Sequence, residues 1–264
     1  MRLLFIGDIV GKGGRKAVVE LASTLRSELG CSMCVANGEN MANGSGINAK
    51  CVLDISSPNA VDVITVGDHV WDQKGFEIEI KSLKNVLRPS NLNPVQPGRG
   101  WGVFRNPSCG EIAVISLMGR VFMKDSSACP FGEADRILKE IPPTVKTIVV
   151  DFHAEATSEK SAMARHLDGR VTAVIGTHTH VQTADERILP GGTAFISDVG
   201  MVGADESILG RGIEAATKKF VTGMPSRLDV VETGLFRLDA VTIDYDANTG
   251  RATAIQRVQR RIQI

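Results

Sequence analysis

Short apolar runs at residues 3–6, 33–36 and 61–66 punctuate the first third of the chain. Each reads as a buried strand, because a strand covered on both faces shows a continuous apolar run rather than strict alternation. Between the first two, residues 15–29 place Val18, Val19, Ala22, Leu25 and Leu29 at helical spacing, and between the second and third, residues 48–56 predict a shorter helix. The order β-α-β-α-β implies right-handed crossovers and a sheet that begins parallel. After Asn91 the pattern changes: a turn-rich stretch through Pro94, Gly98 and Gly100 leads into apolar runs at 102–104 and 112–117, which flank Asn106-Pro107-Ser108-Cys109-Gly110 and predict a hairpin. Residues 147–150 and 171–175 resume the buried-strand signature around a helical segment at 158–167, and 235–245 pairs with 252–258 across a turn at 246–250. The pattern predicts an α/β fold, a layered sandwich of mixed β-sheets flanked by helices, as a single domain over 1–264.

The polar residues that end the apolar strands change this from a fold to a candidate chemistry. Asp8 follows the first strand, Asn37, Glu39 and Asn40 the second, Asp68 and His69 the third, His153 the run at 147–150, and His178 with His180 the run at 171–175. In open α/β sheets the ligand crevice lies outside the carboxyl ends of the strands, so five strands aim candidate ligands at one place. A single Asp after a strand is ordinarily a turn or cap residue, and His-x-His alone is a weak signal. The joint occurrence carries the argument, since four of the five His in the chain and three carboxylates fall at equivalent strand ends. Carboxylate, imidazole and amide ligands without thiolate suit Fe, Mn, Zn or Co better than Ca or Mg. So many ligands exceed the needs of one four-coordinate ion and fit two ions sharing a carboxylate, which generate a metal-bound hydroxide for in-line attack.

Composition narrows the partners. Thirty Lys and Arg balance thirty Asp and Glu, and aromatic residues make up 5%. A protein holding long nucleic acid would show a basic excess or stacking platforms, so none is expected as a partner. No apolar run approaches the roughly 20 residues of a membrane span, and the first residues are too soon acidic for a signal peptide, which predicts a soluble, cytoplasmic protein. Five Cys scattered through a chain of 264 residues suit a reducing compartment. Cys31 and Cys34 form a C-x-x-C without a second pair, and read as buried strand thiols.

Rival motifs fail on spacing. Gly7 to Gly13 is too short for a phosphate P-loop, and no Ser or Thr follows Lys12. Lys16 stands where a dinucleotide fingerprint has its third Gly, so Gly11, Gly13 and Gly14 read as a tight turn into the helix at Arg15. No Gly-x-Ser-x-Gly elbow occurs.

Gly7-Asp8, Gly67-Asp68-His69, His153 and Gly176-Thr177-His178-Thr179-His180 together resemble the calcineurin-like metallophosphoesterase superfamily. With Asn37-Gly38-Glu39-Asn40, Trp71-Asp72 and the run Val181-Gln182-Thr183-Ala184-Asp185, the chain resembles over its whole length the bacterial YmdB-like subfamily, which hydrolyses cyclic nucleotides. The resemblance implies a metallophosphoesterase-type sandwich and two transition-metal ions per chain, iron first and manganese or zinc as alternatives. It implies that Asp8 and His180 bind one ion, that Asp68, His153 and His178 bind the other, and that Glu39 bridges them. Asn40 and His69 match positions directed at the substrate phosphate, so these two are the candidate catalytic residues. The implied reaction converts a small 2′,3′-cyclic nucleotide to a 3′-phosphate, with His69 stabilising phosphate charge or protonating the departing ribose oxygen, and a homo-oligomer is expected.

One position departs from that pattern, because the family places Asn where this chain has Asp68. The extra carboxylate makes a centre of two divalent ions and one hydroxide formally neutral, which predicts metal retained and catalysis weakened. Two other readings use the same centre: a metal-bound regulatory protein that holds a nucleotide without turnover, and a phosphomonoesterase or nuclease. Elsewhere, His166 reads as a surface residue, Trp71 and Trp101 as core packing, Arg257, Arg260 and Arg261 as a solvated strand end, residues 89–102 as a substrate-side loop, and residues 196–201 as an oligomer contact or a second loop over the site.

Overall fold

The computed structural model describes residues 1–56, 60–123 and 127–264. Its elements run β1 (Arg2–Ile6), β2 (Asp8–Ile9), α1 (Gly11–Leu29), β3 (Met33–Asn37), α2 (Ala49–Ser56), β4 (Val63–Thr65), α3 (Phe76–Glu79), β5 (Val86–Leu87), β6 (Trp101–Asn106) and β7 (Gly110–Met118). They continue with α4 (Pro130–Glu140), β8 (Thr147–His153), α5 (Thr157–His166), β9 (Ala173–Thr177), β10 (Arg187–Ile188), β11 (Ala194–Ile196), β12 (Met201–Ala204), α6 (Ile213–Thr222), β13 (Leu235–Tyr245) and β14 (Ala252–Gln263). No helix among the described residues is long and apolar enough to cross a membrane.

Two mixed sheets stack face to face. One has the order β2-β12-β13-β1-β3-β4-β5 with β14 on β13, the other β10-β11-β9-β8-β7-β6. In the first, β1, β3, β4 and β5 are parallel while β13 runs antiparallel to β1; in the second, β7, β8, β9 and β11 are parallel and β6–β7 is the predicted hairpin. The strand period of two sorts the side chains into layers. Leu3, Phe5, Met33, Val35 and Val63 meet Ile112, Val114, Val149, Ala173 and Ile175 between the sheets. The alternate residues face outward: Leu4, Ile6 and Ile64 pack with Val18, Leu25 and Ile55 of α1 and α2, and Val150, Phe152 and Val174 pack with Ile137 and Met163 of α4 and α5. The result is the expected α/β sandwich with helices on both outer faces.

Two local expectations change. Helix α1 begins at Gly11 rather than Arg15, because Gly13 and Gly14 belong to its packed first turn: a Cβ on Gly13 would lie 2.2 Å from the Phe236 ring and one on Gly14 2.5 Å from the Val202 carbonyl. Residues 196–201 form neither an oligomer contact nor a loop over the site, since Ile196, Asp198, Val199 and Met201 are buried. The turn-rich region after Arg88 lines a groove of about 680 Å³ with Ser90, Asn91 and Trp101, and its Gln96 accepts from Trp71 beside the turn that carries His69.

The readings of Cys34, Trp71, His166, Arg257 and Arg261 match, and Cys31 lies just before β3 rather than in a strand. All five cysteines are free, Cys31 and Cys34 are buried, and Cys129 is exposed. Trp71 packs on Phe76, with its indole N–H donated to Gln96. His166 is half-exposed and paired with Asp135 at 3.0 Å, and Arg257 and Arg261 are exposed on β14 in ion pairs with Glu186 and Asp205.

Candidate metal centre

The layer between the sheets turns polar at one edge, because the inward-facing positions of each parallel strand change from apolar to polar in register. Val35 gives way to Asn37, Val63 to Thr65, Val149 to Asp151 and His153, and Ile175 to Thr177, all of them fully buried. Beyond this rim lie Asp8, which opens β2, and Glu39, Asp68, His69, His178 and His180 in the connections. Gly67 lets the turn after β4 approach, since a Cβ there would sit 2.2 Å from both Glu39 Oε2 and the His153 ring. The loop after β9 is held in rare backbone conformations, with φ of 103° at His178 and 63° at His180. Non-glycine residues at positive φ store strain that the surroundings must offset. Here Asp8 Oδ2 accepts the His178 backbone N–H at 3.3 Å and Asp198 accepts that of Thr179 at 2.9 Å.

Glu39, Asp68, His153 and His178 each offer a ligand atom, and all four atoms lie within 4.8 Å of one another. Around His153 Nε2 the spacings are 3.1 Å to Glu39 Oε2, 3.2 Å to Asp68 Oδ1 and 3.0 Å to His178 Nδ1. The far side of each ring fixes its tautomer. His153 Nδ1 is 2.9 Å from the Thr177 hydroxyl, which itself donates to Asp151 at 2.7 Å and so must accept from the imidazole. His178 Nε2 is 3.2 Å from the Glu155 carboxylate, which can only accept. With both outer nitrogens protonated, two imidazole nitrogens and two carboxylates converge on one point, where either a proton on an inner nitrogen or a bound cation must balance the carboxylates.

Asp8 and His180 sit beside this cluster. Asp8 Oδ1 is 3.9 Å from His180 Nε2 and 4.0 Å from His153 Nδ1, and it has no hydrogen-bond partner among the described residues. Glu39 Oε2 likewise has no aligned donor. Asn40 is buried, with Oδ1 3.0 Å from His180 Nε2. His69 stands at the cavity side with Nδ1 2.7 Å from Asp72 Oδ2 and 3.1 Å from the Ser45 hydroxyl. The Asp72 carboxylate accepts the Nδ1 proton, which leaves Nε2 to face a ligand. All eight candidate residues therefore meet at one edge.

Electrostatics describe a site short of positive charge. Burial pushes the Asp8 carboxyl well above the usual range. Burial would raise Asp68 as well, but its bonds to His153 and His178 overcome it and hold the carboxyl well below the usual range. His153 shows the converse, since burial opposes its charge yet Glu39, Asp68 and Asp8 lift it well above an ordinary imidazole. His180, with burial dominant, falls to about 4 and is neutral at physiological pH, as a metal ligand must be.

Four supporting residues escape a reading by strand ends. Asp151 lies inside β8, where Thr65, Thr177 and Asn37 all donate to it. Its signal was an ionisable residue two places before His153, hence on the same strand face. Thr177 lies within a motif already in view, but its role needs the His153 contact. Asp72 belongs to the Trp71-Asp72 motif but needs the His69 contact to show its role, and Glu155 carries no signal beyond its closeness in sequence to His153.

The family model described as YmdB-like protein matches residues 4–258. A 2′,3′-cyclic-nucleotide 2′-phosphodiesterase of Bacillus subtilis is 44% identical over 258 residues, covering 98% of this chain and 96% of that protein. Among solved structures, a hypothetical protein from Thermus thermophilus superposes with a TM-score of 0.90 at 37% identity, covering 99% of both chains. A novel phosphatase from Mycoplasma pneumoniae gives a TM-score of 0.90 at 31% identity, covering 100% of this chain and 94% of that one.

Proposed function

The chain belongs to the YmdB-like protein family, and from that premise we propose that it is a metal-dependent phosphodiesterase that hydrolyses 2′,3′-cyclic nucleotides to nucleoside 3′-phosphates. The observation that carries the metal dependence is the convergence of two carboxylates and a second imidazole on His153 Nε2. Asp68, His153 and His178 would hold one ion, Asp8 and His180 a second, and Glu39 would be shared. Iron is the first choice, with manganese or zinc as alternatives. When bound, two such ions make hydroxide available at neutral pH and neutralise charge on the phosphate oxygens.

The chain's own groups supply the rest. Asn40 and His69 border the cavity that reaches the cluster, so both can hydrogen-bond a phosphate oxygen. In the reaction water adds to phosphorus, the bond from phosphorus to O2′ breaks, and O2′ takes up a proton. His69 delivers that proton or stabilises the charge it answers, and Asp72 holds the ring in place for either task. The strained loop at 177–180 keeps two ligands ready before substrate arrives, which saves reorganisation during the reaction. We place this activity in the cytoplasm, in a homo-oligomer that takes a small substrate rather than long nucleic acid.

The test is steady-state hydrolysis of 2′,3′-cyclic AMP beside 3′,5′-cyclic AMP, a nitrophenyl phosphomonoester and short RNA. The 2′,3′-cyclic substrate should be turned over fastest and yield the 3′-phosphate. His178→Ala, with its fold checked by circular dichroism, should lose roughly 10³–10⁴-fold in turnover, since metal charge stabilisation supplies several kcal/mol. Preference for the monoester, or nucleotide binding without multiple turnover, would replace this reading.

A further inference from the structure

The cavity that reaches the metal cluster is about 250 Å³ and has two unlike halves. Its polar half is the site described above. Its other half comes from a segment that the reaction leaves unused, the loop before α6, α6 itself and the strap that follows. Ala216 and Phe220 lie one helical turn apart and so share a face of α6. Leu209 and Leu228 border the same space. Phe220 is 80% exposed and Leu209 43%, so two large apolar side chains stand in water at the mouth of the cavity that holds the catalytic groups. Leu209 does so at a φ of 53°, a strained conformation for a branched side chain.

The one charged side chain on this wall is already engaged. Arg211 donates to the carbonyls of Asn43, Gly44 and Leu228, which pins the turn after Asn40 to the strap beyond α6. The apolar half therefore offers area and an aromatic face, with little to read the edge of a base. Base–aromatic stacking tolerates any base, because every base has a π-face.

We propose that this wall is the nucleoside subsite: the base stacks on Phe220 and rests against Leu209 and Leu228 while the phosphate lies on the polar half. The inference rests on the reaction proposed above and adds that base identity is read weakly. Purine and pyrimidine 2′,3′-cyclic nucleotides should then share kcat/KM within about tenfold.

The test compares the wild type, Phe220→Ala and Phe220→Trp on 2′,3′-cyclic AMP, 2′,3′-cyclic UMP and a base-free ribose 2,3-cyclic phosphate, with calorimetric binding of adenosine 3′-phosphate as a second readout. For the wild type, KM should be roughly ten- to a hundredfold lower for the nucleotides than for the base-free analogue, in line with the worth of one stacked base. Phe220→Ala should erase that difference by raising the nucleotide KM while kcat changes little, and Phe220→Trp should restore it. Turnover with a nucleotide KM indifferent to Phe220, or a preference far above tenfold for one base, would overturn the subsite and keep the reaction. Adenosine 3′-phosphate binding that depends on Phe220 without cyclic-nucleotide turnover would keep the subsite and overturn the reaction.

Discussion

Two buried polar clusters share the loop that carries His178 and His180, and they differ in how their charges are met. Behind the loop, Lys160 Nζ lies 2.8 Å from Asp198 Oδ2, and both side chains are 1% exposed. Asp198 also accepts the backbone N–H of Thr179 and of Gly200, each at 2.9 Å, so every charge has its partner within the protein. In front of the loop, Glu39, Asp68, His153 and His178 converge their ligand atoms on one point, and Asp8 Oδ1 and Glu39 Oε2 have no hydrogen-bond partner among the described residues. Buried charge that is internally satisfied is scaffold. Buried charge that lacks a donor marks the place of a ligand.

If that contrast is right, breaking the rear cluster costs stability, whereas altering the front one changes metal and rate. The largest effect is expected for Lys160→Met, which leaves Asp198 buried and uncompensated: urea denaturation should show a loss of about 3–5 kcal/mol. A loss below about 1 kcal/mol would show that the pair does not hold the loop. Thr177→Val comes next, because it removes the acceptor that fixes the His153 tautomer. Metal affinity, measured by competition with a chelating dye, should fall about 10–100-fold while stability of the metal-free protein changes much less.

The front cluster was legible in sequence because each ligand ends an apolar strand, and parallel strands deliver such ends to one edge. The rear cluster was not. Lys160 sits in a helix whose other residues are mostly polar, where a lysine ordinarily reaches solvent, and only the fold places it under Asp198. The same reason hid residues 196–201, whose small and apolar character fits a loop or a contact equally well until β11 and β12 bury both ends. Helix α6 buries only Ala216, so the use of its apolar side shows only with the cavity beside it. The two-residue strands β2, β5 and β10 lie below the length at which periodicity carries information. By contrast β1, β3 and β9 were legible within a residue or two, because they are continuous apolar runs.

Asp68→Asn sharpens the comparison within the front cluster. It removes one negative charge while keeping an oxygen ligand, so turnover on an anionic phosphodiester should rise several-fold with metal content unchanged, since a unit charge a few ångströms away at intermediate dielectric is worth about 1 kcal/mol or more. Unchanged kinetics would show that the extra carboxylate is silent. The smallest effect concerns a third buried group, Cys31 and Cys34, which avoids charge altogether. Burial pushes the Cys31 thiol up to about 11 and Cys34 further still, so at pH 8 on the order of a thousandth of Cys31 is thiolate. A disulfide exchange reagent should modify exposed Cys129 quickly and leave this pair intact, with Cys31 reactivity rising about tenfold per pH unit. Rapid modification of the pair at pH 8 would place it in an open, reactive setting.

Elemental analysis of protein purified without chelator or added metal tests the central claim most directly. The convergent ligand cluster, with Asp8 and His180 beside it, predicts two equivalents of transition metal per chain, reduced in His178→Ala and retained in Lys160→Met wherever that variant stays folded. Metal-free protein with no affinity for iron, manganese or zinc would contradict the account.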